Sequence, residues 1–178
     1  RLLITYAEFE GANTNWNKAK TYAEQAVQLA KEINHEKLKA WSKRILSEIY
    51  FNTQDETKAV DTIEKSIHIS KSIGAYTGLS RGYIAKAKYL ILLKRFSEAN
   101  QLLIAAKKLE KMVTEDSVYN YDSVTHWETL VDFFESGRAN YNLLHKHSNL
   151  LKNKKHFIDE NSNDYILGYM YLGSSNSE

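Results

Sequence analysis

The chain has no cysteine in its 178 residues, which excludes disulfides, thiolate metal sites and cysteine nucleophiles. Such a chain suits a reducing compartment, so a cytoplasmic setting is the expectation. It also has no proline and only seven glycines. Few backbone breaks are therefore obligatory, which favours long helices joined by short turns over a β-sandwich. No apolar run approaches the roughly 18 residues needed to span a bilayer, and the basic, apolar, small-residue order of a signal peptide is missing at the start. No membrane partner is expected. An excess of one charge is lacking too: 24 Lys and Arg stand against 22 Asp and Glu, a net charge of +2. Bulk electrostatics thus gives no reason to expect nucleic-acid binding, which would need a local patch.

What is present is the composition of a folded protein, with 43% hydrophobic and 26% charged residues. It is also a repeat. Displacing the sequence by 40 residues lays Asn17-Lys18-Ala19 on Thr57-Lys58-Ala59, then on Ser97-Glu98-Ala99 and Gly137-Arg138-Ala139. Each of the first three alanines opens an apolar pattern in steps of three and four, as in Ala59, Ile63, Ser66, Ile67, Ser70, Ile73, which makes one buried stripe per helix. Twelve residues earlier stand Ala7, Ser47 and Ala87, each within a second helical pattern. Small side chains at matched positions let paired helix backbones approach closely. The spacing predicts helices over 1–11, 15–33, 36–52, 55–73, 76–93, 96–112, 118–136, 138–152 and 163–172. Thr53 with Glu56 reads as a capping box before the fourth helix, and Gly74 as a helix terminator.

Fixed-period helix pairs are the signature of a solenoid, and the period of 40 is closer to HEAT units, of about 40–47 residues, than to the standard tetratricopeptide unit of about 34. The small residue at Ala7, Ser47 and Ala87, the alanine at Ala19, Ala59, Ala99 and Ala139, the large residue at Ile63, Leu103 and Leu143, and the small one at Ala26, Ser66 and Ala106 together resemble the tetratricopeptide pattern over about residues 1–150. Leu167-Gly168-Tyr169-Met170-Tyr171 resembles the family's Leu-Gly-x-x-Tyr. The family's tryptophan and closing proline are absent, and Trp127 and Lys146 stand at small positions in the fourth unit. The long unit is similar to the form found in bacterial peptide sensors and transcription regulators. The resemblance implies an all-α, right-handed solenoid forming a single domain over 1–178, with units at about 1–34, 35–74, 75–113 and 114–153 and a partial fifth at 160–178. The chain opens at Arg1 inside a helical pattern and closes on an unpaired helix. Both ends are thus expected to continue in a longer protein, with an upstream signal peptide left open, and self-association through the uncovered ends is expected.

In the tetratricopeptide family the first helices line a concave face that meets protein or peptide ligands. That resemblance places Arg1, Ile4, Glu8 and Ala12, then Trp41, Arg44, Glu48, Phe51 and Asn52, then Arg81, Ile84 and Lys88, then Tyr121, Val124 and Glu128 on this face. The binding residues it implies are Trp41, Arg44, Glu48, Asn52, Arg81, Lys88 and Tyr121, a mixed aromatic and basic surface fitted to a partner carrying carboxylates. The chaperone-tail clamp is not reproduced, because Ile4, Glu8, Ile45, Arg81 and Ala85 stand at its positions.

Chemistry-bearing motifs are sparse. His145 and His147 are two apart and face different ways on a helix; Asp122 and His126 share a face but make only half a metal site. His35, His68 and His156 are isolated. There is no phosphate loop, nucleophile elbow or zinc-protease helix. No catalytic residue, metal or cofactor is expected, and the chain reads as non-enzymatic. Lys146, Lys152, Lys154 and Lys155 with His145, His147 and His156 form a basic cluster that a solvated helix end explains. A spacer solenoid and a nucleic-acid-associated solenoid using that cluster are the alternatives to a peptide-binding module.

Overall fold

Among the described residues, apolar and small residues recurring in steps of three and four build seven helices: α1 (Leu2–Ala12), α2 (Trp16–Glu32), α3 (Glu36–Asn52), α4 (Glu56–Ser72), α5 (Tyr76–Leu92), α6 (Phe96–Glu110) and α7 (Val118–Ser136). The structure is a computed structural model that describes residues 1–110 and 118–136, and it contains no strand among them. The first seven expected helices lie within two residues of these. The helices expected at 138–152 and 163–172, Ala139, the Lys146–Lys155 cluster and the partial fifth unit fall outside the described residues.

The helices α2 to α5 are each 17 residues long and are followed by three-residue turns, so the elementary module is one helix and one turn. Every turn from α1 to α6 is built alike. Its middle residue is left-handed, at Thr14 (φ 59°), Asn34 (50°), Gln54 (63°), Gly74 (63°) and Lys94 (59°). Its last residue donates its N–H five residues back: Asn15 to Glu10 at 2.8 Å, His35 to Ala30, Asp55 to Tyr50 and Ala75 to Ser70 at 2.9 Å, and Arg95 to Leu90 at 2.8 Å. The left-handed residue donates three residues back, as Gln54 does to Phe51 at 3.1 Å. These paired bonds satisfy carbonyls that a helix end otherwise leaves without donors. The last turn residue is also the N-cap of the next helix, so one residue closes a helix and opens its successor.

This corrects the expected capping box. Thr53 belongs to the end of α3, where its hydroxyl donates to the Ile49 carbonyl at 2.9 Å. Asp55 caps α4 instead, accepting from the Lys58 N–H at 3.3 Å. Gly74 terminates α4 as expected, but four other residue types fill the same left-handed position.

Consecutive helices pack in antiparallel pairs, and α1, α3, α5 and α7 also touch in succession, whereas α2, α4 and α6 make no comparably close approach to one another. The odd-numbered helices therefore form the inner row of a curved array. Ala7, Ser47 and Ala87, with Ala19, Ala59 and Ala99, have no exposed surface, as expected of positions where helix backbones meet. Gly82 serves the α4–α5 contact, since a Cβ there would stand 2.8 Å from Ile67 Cγ1. Where the small residue is serine, its hydroxyl is used across the inner row: Ser47 Oγ lies 3.0 Å from the Tyr89 hydroxyl, and Tyr89 stacks on Phe51 at 4.3 Å. Burial holds the Tyr89 phenol well above its usual range, with Glu48 adding to the effect. Ser66 Oγ donates to the Ala40 carbonyl at 2.7 Å, tying α4 to α3.

Ala99→Leu should destabilise the array by about 1–3 kcal/mol through overpacking; an unchanged melting temperature would contradict the packing described. The turns give an opposite-signed test. Gly74 is left-handed with nothing within 4 Å of an added Cβ, so Gly74→Ala should cost about 1 kcal/mol from backbone strain alone. Lys94→Gly and Gln54→Gly relieve the same strain and should raise stability by up to about 1 kcal/mol in chemical denaturation, the entropy of the unfolded glycine chain offsetting part of the gain.

Candidate functional site

The repeat of 40 residues sorts the inner row into three stripes. Arg1, Trp41, Arg81 and Tyr121 form the first, Ile4, Arg44, Ile84 and Val124 the second, and Glu8, Glu48, Lys88 and Glu128 the third. The second stripe is core rather than groove, which corrects the sequence reading for Ile4, Ile84 and Val124: they are 2%, 6% and 0% exposed. They are buried because this stripe makes the contact between successive inner helices. Three apolar residues in four was the available signal.

Arg44 is the exception in that stripe, with only 15% of its side chain exposed. Two carboxylates from the third stripe support it: Glu48 Oε1 at 2.7 Å, one turn along α3, and Glu8 Oε1 at 3.6 Å, from α1. Trp41 Nε1–H donates to the same Glu8 oxygen at 3.4 Å. From α5, Arg81 completes the cluster. Its guanidinium is held below its ordinary value first by partial burial and then by the like charge of Arg44, with Glu8 acting the other way. It stays protonated, as arginine does throughout the accessible pH range.

Trp41, Arg44 and Arg81 line one pocket of about 280 Å³ between α3, α4 and the start of α5, together with Lys37, Ser66, Ser70, Thr77 and Gly78. No acidic residue lines it. Sequence reasoning missed Lys37, Ser70, Thr77 and Gly78, because it took the groove from the residues further along the inner helices and left out α4 and the first turns of α3 and α5. Glu48 stands behind Arg44 as its counterion. Lys88 and Asn52 do not enter the pocket. Lys88 Nζ lies 5.0 Å from the Trp127 ring centre, two turns further along α5. Beyond it Lys107 bonds Glu128 at 2.6 Å. Asn52 donates its side-chain amide to the Glu48 carbonyl at 2.8 Å, at the exposed end of α3. Tyr121 belongs to α7, and its side chain lies outside the described residues.

On the other side of α3 the structure assembles a basic surface that the sequence had dispersed: Lys39, Lys43, Lys65, Lys71 and Lys86 with His68. Asp61 and Glu64 partly neutralise it through Lys65 and Lys86. Burial, then Lys65 and Lys39, lowers the Lys43 ammonium below its ordinary value. Lys146–Lys155 is therefore not the only basic cluster in the chain. Among the described residues no group of His, Asp and Glu is placed to hold a metal, and no helix is long and apolar enough to cross a membrane.

No family model matches the sequence, and no curated protein matches it. Among solved structures the chain is similar to nearly identical TPR-like repeats assigned to a kinesin light chain of Podosopora anserina, at 14% identity and a TM-score of 0.66, covering 99% of this chain and 87% of that one. At that identity the likeness shows the fold, a TPR-like α-solenoid.

Arg44 stands where its own repeat equivalents are Ile and Val, and replacing a buried ion by a fitting apolar residue is commonly neutral or stabilising. Arg44→Ile should accordingly leave folding stability within about 1 kcal/mol of wild type or raise it, read by thermal or urea unfolding. A loss of several kcal/mol would show that the ion cluster holds the inner row together.

Proposed function

We propose that this chain is a protein- or peptide-binding module without catalytic activity, the sensor or regulatory part of a larger protein. The observation that carries this reading is Arg44: a cation set into an otherwise apolar stripe, beside Trp41 and Arg81, at the mouth of a pocket on the inner face. A spacer has no use for a desolvated arginine where isoleucine fits. The TPR-like fold supports the reading at the coarse level, since stacked helix pairs present an extended concave surface suited to a chain-like ligand.

The partner is a segment bearing carboxylates. Trp41 supplies a flat apolar anchor, Arg44 and Arg81 the bidentate donors, and Lys88 a further cation along α5 for a second acidic residue. Glu48 and Glu8 keep Arg44 oriented in the unbound protein. The setting is cytoplasmic.

Charge reversal at two exposed or half-exposed cations tests the groove. The double variant Arg81→Glu, Lys88→Glu should weaken binding of the partner isolated on the wild-type protein by roughly tenfold or more, while changing stability little, since such surface charges contribute about 0–1 kcal/mol to folding. Full affinity in that variant would remove the inner face from consideration and leave the Lys39–Lys86 surface as the binding side.

A further inference from the structure

We infer that the pocket between α3, α4 and α5 binds a phosphoryl group, presented by a phosphorylated side chain of the bound segment. This deepens the peptide-binding reading and rests on it for the source of the phosphate. The first observation is the open start of α5. Its N-cap is Ala75, which has no side-chain acceptor, whereas Asp55 and His35 at the equivalent turns accept from the third N–H of their helices. Leu79 N–H is taken by the Ala75 carbonyl and Tyr76 N–H by Gly74. The N–H groups of Thr77 and Gly78 have no acceptor among the described residues, and both residues line the pocket. Paired N–H groups at a helix start, with the positive end of the helix dipole behind them, are an oxyanion site.

The second observation is independent of the helix end. Ser70 is 1% exposed and lines the same pocket. Unlike Ser66, which donates to Ala40, its hydroxyl forms no hydrogen bond with any described residue. The hydroxyl faces the first turn of α5, its Oγ lying 3.1 Å from where a Cβ on Gly78 would stand. A buried hydroxyl without a partner is costly unless a ligand completes it. Glycine at position 78 is what lets that hydroxyl approach the first turn of α5 so closely.

Charge and donor count decide between phosphate and carboxylate. Lys37, Arg44 and Arg81 bring three cationic side chains to a pocket that no acidic residue lines, with Glu8 and Glu48 set behind Arg44, and the α5 terminus adds about half a charge. A phosphate monoester carries about −1.5 to −2 at neutral pH and has three free oxygens. Beside the side chains that can grip a carboxylate, the pocket offers the two backbone N–H groups and the Ser70 and Thr77 hydroxyls, more donors than the two oxygens and single charge of one carboxylate answer.

The test is an NMR titration following the Thr77 and Gly78 amides with inorganic phosphate, with succinate, and with an acidic peptide carrying one phosphoserine. The expected result is saturable shifts with phosphate, at least tenfold weaker effects with succinate, and tighter binding of the phosphopeptide than of free phosphate or the unphosphorylated peptide. Ala75→Asp supplies a tethered carboxylate to the same N–H groups. It should raise the melting temperature, as a restored N-cap does, while abolishing the phosphate shifts, so loss of binding cannot be mistaken for loss of fold. Ser70→Ala should weaken phosphate binding several-fold with the fold intact. Absence of saturable shifts, equal binding of succinate, or phosphate binding undiminished in Ala75→Asp would each overturn the phosphoryl site. Free phosphate binding as tightly as the phosphopeptide would overturn its assignment to a peptide. Because the free-ion titration involves no protein partner, its failure leaves the acidic-peptide groove standing.

Discussion

The three-residue turn is the constraint on which the rest of this structure depends. Its left-handed middle residue lets the last residue of the turn reach back five positions, and that same residue caps the following helix. One residue thus closes a helix and opens the next with no slack between them, and at His35 and Asp55 its side chain also takes an N–H of the new helix. Repeated at 13–15, 33–35, 53–55, 73–75 and 93–95, the turn fixes the distance from one helix to the next. That uniform spacing is why residues forty apart form straight stripes across the inner face. It is maintained at some energetic disadvantage, since only Gly74 among the five left-handed residues occupies that region without strain.

The proposed function rests on the place where one stripe is broken. Ile4, Ile84 and Val124 show what the second stripe requires for packing alone, and Arg44 departs from it. The departure is stabilised by two carboxylates that the neighbouring stripe places within reach, one on the same helix and one on the preceding inner helix. The result is an oriented, largely desolvated guanidinium that lines one pocket with Trp41 and Arg81. Desolvation strengthens its attraction for an anion while its counterions hold it in place.

The helices and their pairing were legible because alanine at 19, 59 and 99 and the small residues at 7, 47 and 87 must be small wherever backbones meet. The twenty-residue module was not, because its left-handed residues are chemically unlike one another: threonine, asparagine, glutamine, glycine and lysine share a conformation and no sequence signature. The stripe of Trp41 and Arg81 and the cation at Arg44 could be named from the tetratricopeptide resemblance, which says which helices face inward, together with the spacing of 40. What spacing could not supply was depth, so Ile4, Ile84 and Val124 were placed on the surface, nor the contribution of α4, which brings Ser66 and Ser70 to the pocket from outside the inner row. Lys88 shares its helix with Arg81 but lies two turns away, a separation that face-sharing arguments leave out.

The central claim is that α1, α3, α5 and α7 form the inner row and α2, α4 and α6 the outer one. The chain's lack of cysteine makes this directly measurable with paired spin labels. One pair is placed at Asn52→Cys and Leu92→Cys, exposed and forty apart on α3 and α5; the other is placed at Asp61→Cys and Gln101→Cys, exposed and forty apart on α4 and α6. The inner-row geometry predicts clear dipolar broadening for the first pair and a distinctly longer separation for the second. Equal separations, or a shorter one between α4 and α6, would contradict the curvature and with it the placing of Trp41, Arg44 and Arg81 on a concave face.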